Sequence, residues 1–404
     1  MRKGLLAVLA ALFVAVLVVA ATAIAQPSSK QVVTASPACK AAGIGYAGPV
    51  TGPAAFLGLD QQHWVQTFLS FWNAGKPIPG VPAGLKRVKL KLALIGDSQL
   101  NPQAAATVAG QLASKKSILA LVGFAGSNEN LGGGPVLDRA GMPYVTGSAT
   151  ADQLTTTLKR FYRVVPNNTK QAAAGIAYLL KNGVKKGDQV MVVDDAEAYG
   201  VGIANAGEKF LKAAGVSVAR ESQPESTSSS TADFSSLAQK AVATGAKLVY
   251  APTQVASDSQ LFAQQLKSAG YNGIFMATDG SFDAKSFKFA GAYVSFFGTD
   301  VYQVKLAKPF VAYYTKKYGK TTPFGAPSFV SAEMIAVAIS KSCANGTTNR
   351  AKVERALKTT SLPSTILGHG VAFDNKGDVS RGPARGVTVF KIQANGTYKL
   401  VFTA

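Results

Sequence analysis

Residues 189–215, QVMVVDDAEAYGVGIANAGEKFLKAAG, contain one complete repeating unit of the fold. The run 190–193 is continuously apolar, which is typical of a β-strand that is covered on both faces. A helical segment follows at 202–214. A strand followed by a helix of this length predicts a right-handed βαβ crossover, and therefore a parallel sheet.

The same alternation of strand and helix extends in both directions along the chain. The predicted strands are 43–47, 88–95, 119–122, 143–146, 161–165, 189–193, 247–251, 273–277 and 293–298, and further strand-like segments occur at 370–373, 386–392 and 399–402. The predicted helices are 56–73, 102–114, 169–182, 202–214, 234–243 and 257–269. One sheet would need too many strands, so the sequence predicts an α/β protein with two lobes. The polar tract 222–234 is predicted to be a loop.

The first residues of the chain have the pattern of a secretory signal. Arg2 and Lys3 precede a stretch from 4 to 25 that carries no charge and ends in Ala-Ile-Ala, a typical cleavage pattern. We therefore predict a signal peptide at 1–25 and a flexible tether at 26–40. The alternative is an uncleaved membrane anchor, because 22 apolar residues can span a bilayer.

The composition is basic, with 42 Lys and Arg against 21 Asp and Glu and a formal net charge of +21. The basic residues are scattered, and the densest group, LKRVKLKL at 85–92, alternates with apolar residues as in a half-buried strand with a basic outer face. We predict no nucleic-acid partner and interpret the charge as attraction to an anionic surface. Cys39 and Cys343 form an even pair, which in an exported protein predicts one disulfide, with two free thiols as the alternative.

The sequence contains little that would support catalysis. A G-x-G-x-x-G pattern at 43–48 lies inside the first predicted strand instead of following one, so it is not a dinucleotide motif. The two histidines, His63 and His369, have no metal-ligand spacing to another residue. Asp194 and Asp195 are adjacent on a strand and therefore point to opposite faces. We predict no catalytic residue, no cofactor and no metal site.

A glycine-rich stretch, LVGFAGSNENLGGGP at 121–135, follows the third predicted strand. Glycine-rich turns at strand ends often bind anions through exposed backbone N–H groups. The stretch lacks the lysine of a phosphate-binding loop, which favours a carboxylate. Its three consecutive glycines are expected to give conformational freedom or close packing beyond the site.

Several short motifs occur in a specific order: GPVTGP at 48–53, DSQLNP at 97–102, the end of the third strand with Ser127, GSAT at 147–150, and Asp195 followed by Tyr199 and Gly200. In this order the chain resembles the branched-chain amino acid (Leu/Ile/Val) binding proteins of ABC importers, over about 40–400. The resemblance implies the type I periplasmic binding protein fold, in which two Rossmann-like lobes hold a ligand in the cleft between them.

The resemblance also implies the boundaries of the lobes. Lobe I comprises 40–165 plus 300–366, and lobe II comprises 166–299 plus 367–404. Three crossings near 165–167, 297–299 and 367–370 would act as the hinge.

Residue roles follow from the same resemblance. Ser127, Ser148 and Thr150 are expected to hold the carboxylate of an amino acid. Asp279 is expected to meet its ammonium group, and Tyr199 to close over it. The complete predicted ligand-binding set is Ser127, Ser148, Ala149, Thr150, Tyr199, Gln254, Asp279 and Leu57.

Four positions depart from the family pattern and leave the ligand open. The family's aromatic residue beside the ligand side chain falls within Phe56-Leu57 here, and Ser148 is more polar than the usual alanine. Gln254 stands where the Leu/Ile/Val binders have a tyrosine, and Asp279 is shorter than the usual glutamate. An amino acid of the branched-chain type, another amino acid, an amide or a small carboxylic acid would each be compatible with this set.

The resulting functional prediction is an exported, monomeric solute-binding protein in the periplasm or at the outer face of the cell membrane. Its partners would be a small-molecule ligand and the permease of an ABC importer, with membrane contact only through that transporter. The alternative is the ligand-sensing ectodomain of a signalling system.

Overall fold

The computed structural model of the chain describes residues 36–227, 230–381 and 386–404. The predicted signal peptide and residues 26–35 of the predicted tether lie outside the described residues. Residues Pro37–Lys40 form a short helix, and Cys39 within it is bonded to Cys343. The predicted disulfide is therefore present, and the prediction of a flexible tether is wrong for this last turn of the segment.

The described elements alternate along most of the chain. The strands are β1 (Gly43–Gly48), β2 (Lys91–Asp97), β3 (Ile118–Val122), β4 (Tyr144–Thr146), β5 (Phe161–Arg163), β6 (Gln189–Asp194), β7 (Ser217–Ser222), β8 (Leu248–Ala251), β9 (Ile274–Ala277), β10 (Tyr293–Phe296), β11 (Ser361–Leu362), β12 (Val371–Phe373), β13 (Val379–Arg381), β14 (Thr388–Ile392) and β15 (Tyr398–Thr403). The α-helices are α1 (Pro37–Lys40), α2 (Ala55–Asn73), α3 (Pro102–Ser114), α4 (Ser127–Arg139), α5 (Leu154–Thr157), α6 (Asn168–Lys181), α7 (Ala198–Ala213), α8 (Ser235–Ala243), α9 (Ala256–Ser268), α10 (Lys308–Tyr318), α11 (Gly325–Ser342) and α12 (Arg350–Lys358).

Two large sheets form the centres of the two lobes. The first contains five parallel strands in the order β2-β1-β3-β4-β5. The second contains seven strands in the order β15-β14-β10-β9-β8-β6-β7, of which β14 and β15 run antiparallel to their neighbours. The predicted α/β fold with two lobes is confirmed. Among the described residues, no helix combines the length and apolar composition needed to span a bilayer.

A third, small antiparallel sheet joins β11, β12 and β13. Leu362 in β11 pairs with Val371 in β12, so this sheet spans the proposed lobe boundary between 366 and 367. The exact lobe boundaries therefore remain a proposal, although each large sheet falls within one proposed lobe.

The glycine-rich stretch runs from β3 into helix α4, a helix that the sequence patterns did not predict, and the close packing expected of its three glycines is confirmed. The three glycines lie inside α4. A Cβ atom at Gly132 would come within 2.2 Å of the Pro102 carbonyl oxygen, and one at Gly133 within 2.4 Å of the Phe124 ring. These glycines are required because α4 packs against its neighbours at a distance that leaves no space for a side chain.

Other elements were missed or misplaced by the sequence-based prediction, for physical reasons. β2 begins only at Lys91, so residues 88–90 of the predicted strand 88–95 are irregular. The edge strand β7 was assigned to no element because it is half-exposed and lacks an apolar run. Helix α11 is buried on all sides and therefore has no polar face to produce a period of 3.6.

Helix α11 contains a buried acid, Glu333. Its side chain is fully buried, and neither carboxylate oxygen has a hydrogen-bond partner among the described residues. Burial raises the pKa of this carboxyl well above its ordinary value, and the charge of Arg87 only partly opposes that shift. Glu333 is therefore protonated in the folded protein at pH values where it is ionised in the unfolded chain.

The first prediction concerns the effect of this acid on stability. A carboxyl whose pKa is raised in the folded state stabilises the protein fully at pH values below its pKa in the unfolded chain, 4.5. This stabilisation is lost as the pH rises through the pKa of the folded state. Glu333→Gln removes this pH dependence of stability. The free energy of unfolding of the variant should therefore rise relative to that of the wild type by up to about 1.4 kcal/mol per pH unit above pH 5. Urea denaturation at pH 5, 6 and 7 measures this gain. A gain for Glu333→Gln that is constant with pH would contradict the assignment.

Candidate functional site

The candidate site lies where the carboxyl ends of the parallel strands of both sheets meet. In lobe I, Ser127 begins α4 after β3, and the loop with Ser148 and Thr150 follows β4. In lobe II, Gln254 follows β8 and Asp279 follows β9. The carboxyl ends of parallel strands are the usual ligand-binding edge of α/β sheets.

Ser127 and Thr150 form the lobe I part of the site. The Ser127 hydroxyl oxygen accepts the N–H of Ala151 at 3.1 Å, which fixes it beside the residue that follows Thr150. Both side chains are buried, and the Thr150 hydroxyl has no hydrogen-bond partner among the described residues. Each hydroxyl can therefore donate a hydrogen to a carboxylate.

Ser148 and Ala149 support this loop. The Ser148 hydroxyl donates to the Ala125 carbonyl oxygen at 2.7 Å and accepts from Nε2 of Gln61 at 2.8 Å. The N–H of Ala149 donates to the Thr146 hydroxyl at 3.1 Å. Because the hydroxyl hydrogen of Ser148 is already used, Ser127 and Thr150 supply the two free hydroxyl donors, instead of the three that the resemblance implied.

Asp279 is the centre of the lobe II part. Its Oδ1 accepts the Tyr199 hydroxyl and Nε2 of Gln171, each at 2.5 Å. Burial raises the pKa of the Asp279 carboxyl to about 7, against the opposing effect of these two hydrogen bonds. A buried carboxyl with such a pKa gains strongly from a nearby cation.

The start of helix α6 connects the two parts. The backbone N–H of Asn168 donates to the Thr150 carbonyl oxygen at 2.8 Å, and its side-chain Nδ2 donates to the Tyr199 carbonyl oxygen at 3.1 Å. One turn later, Gln171 reaches Asp279. Asn168 Oδ1 and Gln171 Oε1 are buried and have no hydrogen-bond partner among the described residues. The predicted residues on both lobes thus converge on one polar region.

Sequence reasoning missed Asn168 and Gln171. The available signal was the pair of asparagines before the predicted helix, because asparagine is a preferred N-cap residue. Asn167 does cap α6, with its side chain accepting the N–H of Lys170 at 3.1 Å. Nothing in the sequence indicates that the next residue reaches across to the other lobe.

The remaining predicted residues are Gln254, which lies against Gly280 next to Asp279, and Leu57, which lies in the hydrophobic core. The N–H of Gln254 donates to Oδ2 of Asp195 at 3.1 Å, and its side-chain Nε2 is buried without a partner among the described residues. Leu57 is buried on α2. Asp194 turns away and pairs with Arg220, so the predicted opposite orientation of the two adjacent aspartates is confirmed.

Known proteins match this chain over nearly its whole length. A family model described as periplasmic binding protein matches residues 42–397. The chain belongs to the periplasmic binding protein family. Leu/Ile/Val-binding protein homolog 7 of Brucella abortus is 28% identical over 377 residues, which cover 87% of this chain and 90% of that protein.

Solved structures of periplasmic binding proteins share the fold. The leucine binding protein LivK of Thermotoga maritima matches with a TM-score of 0.76 at 21% identity, covering 90% of this chain and 98% of that one. A solute binding protein of an ABC transporter from Rhodopseudomonas palustris, in complex with 3,4-dihydroxybenzoic acid, matches with a TM-score of 0.70 at 16% identity, covering 90% and 96%. The resemblance to the Leu/Ile/Val-binding proteins and their type I fold is confirmed.

The interlobe crossings of this periplasmic binding protein meet at one place. A small cavity is lined by residues of all three predicted crossing segments, including Pro166, Gly298 and His369. The three segments are thus neighbours in space, as a common hinge requires. Among the described residues, no group of three or more His, Cys, Asp or Glu side chains is arranged to hold a metal ion.

A buried arginine supports the lobe I loop from behind. Arg163 at the end of β5 is fully buried, and its Nη1 donates to the Ala151 carbonyl oxygen at 2.8 Å. Its Nε pairs with Asp378, which lies between β12 and β13. Asp378 also accepts the Thr155 hydroxyl at 3.1 Å. Arg163 therefore fixes the loop that carries Thr150 to the small third sheet.

The second prediction concerns this support. Arg163→Met leaves the Ala151 carbonyl and the Asp378 carboxylate unpaired, so we expect a loss of about 3 kcal/mol in the free energy of unfolding. Hydrogen exchange of the segment 147–152 should become faster than in the rest of lobe I. The exposed Arg139→Met is the matched control and should change stability by less than about 0.5 kcal/mol. Unchanged exchange in 147–152 would show that Arg163 does not hold this loop.

Proposed function

We propose that this protein is an exported binding protein that captures an amino acid in the cleft between its lobes and delivers it to the permease of an ABC importer. The observation that carries the proposal is the pairing of two hydroxyl donors, Ser127 and Thr150, with a buried carboxyl, Asp279, in one connected polar region. A zwitterion needs such a pairing, because each of its charges costs several kcal/mol to desolvate without a partner.

The ligand would be placed by its charges. Its carboxylate would accept hydrogen bonds from Ser127 and Thr150, and its ammonium group would face Asp279. The start of α4 contributes to the carboxylate side, because Ser127 is the first residue of a helix whose N-terminal dipole favours an anion. We further propose that the protein acts as a monomer without a cofactor and that it binds its ligand without chemical conversion.

The third prediction identifies the ligand class. A thermal-shift screen of the common L-amino acids and of small carboxylic acids should give stabilisation by at least one amino acid, because a ligand that binds only the folded state raises the melting temperature. At one hundred times its dissociation constant the gain is about 2.7 kcal/mol. Stabilisation by aromatic or aliphatic acids that lack an amino group, and by no amino acid, would contradict the proposed ligand class.

The fourth prediction tests the role of Asp279. Asp279→Ala should abolish calorimetric binding of any amino acid found in the screen, because the ammonium group would lose its counter-charge in a buried site. The control Asp233→Asn changes an exposed acid whose carboxylate accepts the N–H of Ser235 at the start of α8, and it should leave affinity unchanged. Circular dichroism confirms that both variants are folded. Full affinity in folded Asp279→Ala would remove this residue from the site.

A further inference from the structure

Four acidic side chains gather beside Gln254 at the lobe II edge. They are Asp195, Glu197, Glu225 and Asp258. They belong to four different elements: the end of β6, the start of α7, the loop after β7 and the first turn of α9. Among the described residues, no salt bridge joins any of them to a Lys or Arg, although the chain carries twice as many basic as acidic residues. We call these four residues the acidic cluster.

Hydrogen bonds connect the acidic cluster to the candidate site. Asp195 accepts the N–H of Glu197 at 2.9 Å with one oxygen and the N–H of Gln254 at 3.1 Å with the other. Asp258 accepts the N–H of Ser226, next to Glu225, at 2.7 Å. Gln254 is therefore the residue through which the acidic cluster meets the predicted ligand-binding set.

The acidic cluster also faces the other lobe. Burial raises the pKa of Glu197, and the side-chain amide of Asn128, which follows Ser127 at the start of α4, opposes that rise. The acidic cluster therefore adjoins the same cleft that Ser127 and Asp279 border, and it lies on the β7 side of it, since β8 separates Asp279 on β9 from Asp195 on β6.

Three buried polar atoms without hydrogen-bond partners among the described residues belong to Glu225 of the acidic cluster and to its neighbours Gln254 and Asn128. These atoms are Oε2 of Glu225, Nε2 of Gln254 and Oδ1 of Asn128. Gln254 and Asn128 are each 5% exposed. Buried polar atoms in native proteins normally have partners, so each of these needs one. The side chains of Gln254 and Glu225 interact, so the Gln254 amide offers one donor to the Glu225 carboxyl. Oδ1 of Asn128 is an acceptor that still calls for a donated hydrogen bond.

The electrostatics point in the same direction. Burial, together with the charges of neighbouring carboxylates, raises the pKa of Asp195 and of Glu225 well above their ordinary values. A cation within the acidic cluster would relieve this repulsion. A metal ion is not supported, because no suitable group of ligands occurs among the described residues.

We propose that the acidic cluster binds the end of the ligand's side chain, and that this end carries a cationic nitrogen, as in the basic amino acids. This rests on the proposed function, because it takes the α-carboxylate at Ser127 and Thr150 and the α-ammonium at Asp279 as given. From Asp279 the side chain runs past Gln254, and its charged nitrogen meets Glu225 and Glu197. The loop 222–234, which sequence reasoning set aside as polar surface, then contributes a specificity-determining residue.

The test compares matched ligands by calorimetry on the full mature protein. L-Lysine, L-ornithine and L-arginine carry the terminal cation, whereas L-norleucine has a straight side chain without it and L-leucine is the branched neutral reference. At least one basic amino acid should bind at least about thirtyfold more tightly than norleucine, since a desolvated charge pair gains from its partner. Norleucine or leucine binding as tightly as every basic amino acid would overturn the proposal.

Variants separate the acidic cluster from the rest of the site. Glu225→Gln should weaken binding of the basic amino acid by at least about thirtyfold and leave that of a neutral amino acid unchanged, and Glu197→Gln should act in the same direction. Glu221→Gln, at the end of β7 and paired with Lys240, is the matched control and should change neither. Equal effects of Glu225→Gln on both ligand types, or none on either, would overturn the proposal. If no amino acid binds at all, the proposed function itself fails, and that result is distinct from binding of neutral amino acids alone.

Discussion

The candidate site depends on the position of one buried side chain, Asn168. Its backbone donates to the loop of lobe I and its side chain donates to the first turn of α7 in lobe II. Loss of either hydrogen bond would leave a buried N–H group without a partner, which is unfavourable by the full desolvation free energy of that group. Asn168 therefore fixes the two parts of the site relative to each other. Gln171, one helical turn further on, then reaches Asp279 because residues three apart lie on the same face of a helix.

Buried carboxyl groups are a second important feature of this basic protein. Asp279, Glu225 and Glu333 are all removed from water, and burial raises the pKa of each. Their surroundings differ. Asp279 has two hydrogen-bond donors and borders the cleft, Glu225 lies among other acids, and Glu333 lies alone inside α11. The first two can gain from a ligand, whereas Glu333 can only lower stability as pH rises.

Much of the architecture could be predicted because it depends on local patterns. Most strands of the large sheets carry short apolar runs, and most helices carry a polar face, so their patterns are visible in the sequence. The prediction failed where tertiary packing decides. Helix α4 was not predicted, because the glycines at 132–134 that permit its close contact with neighbouring elements also weaken the helical signal. Helix α11 was missed because complete burial removes the periodic signal.

By itself, the sequence determined the alternation of strands and helices, the pairing of two cysteines and the order of motifs that identifies the family. These are properties of short segments or of their order, and they do not require knowledge of distances. Only the tertiary structure decided which hydroxyls remain free to donate, that Asn168 bridges the two lobes, and that four acids from separate elements gather beside Gln254. Such relations join residues far apart in the chain, and hydrogen bonding and desolvation act through space, so no local pattern records them.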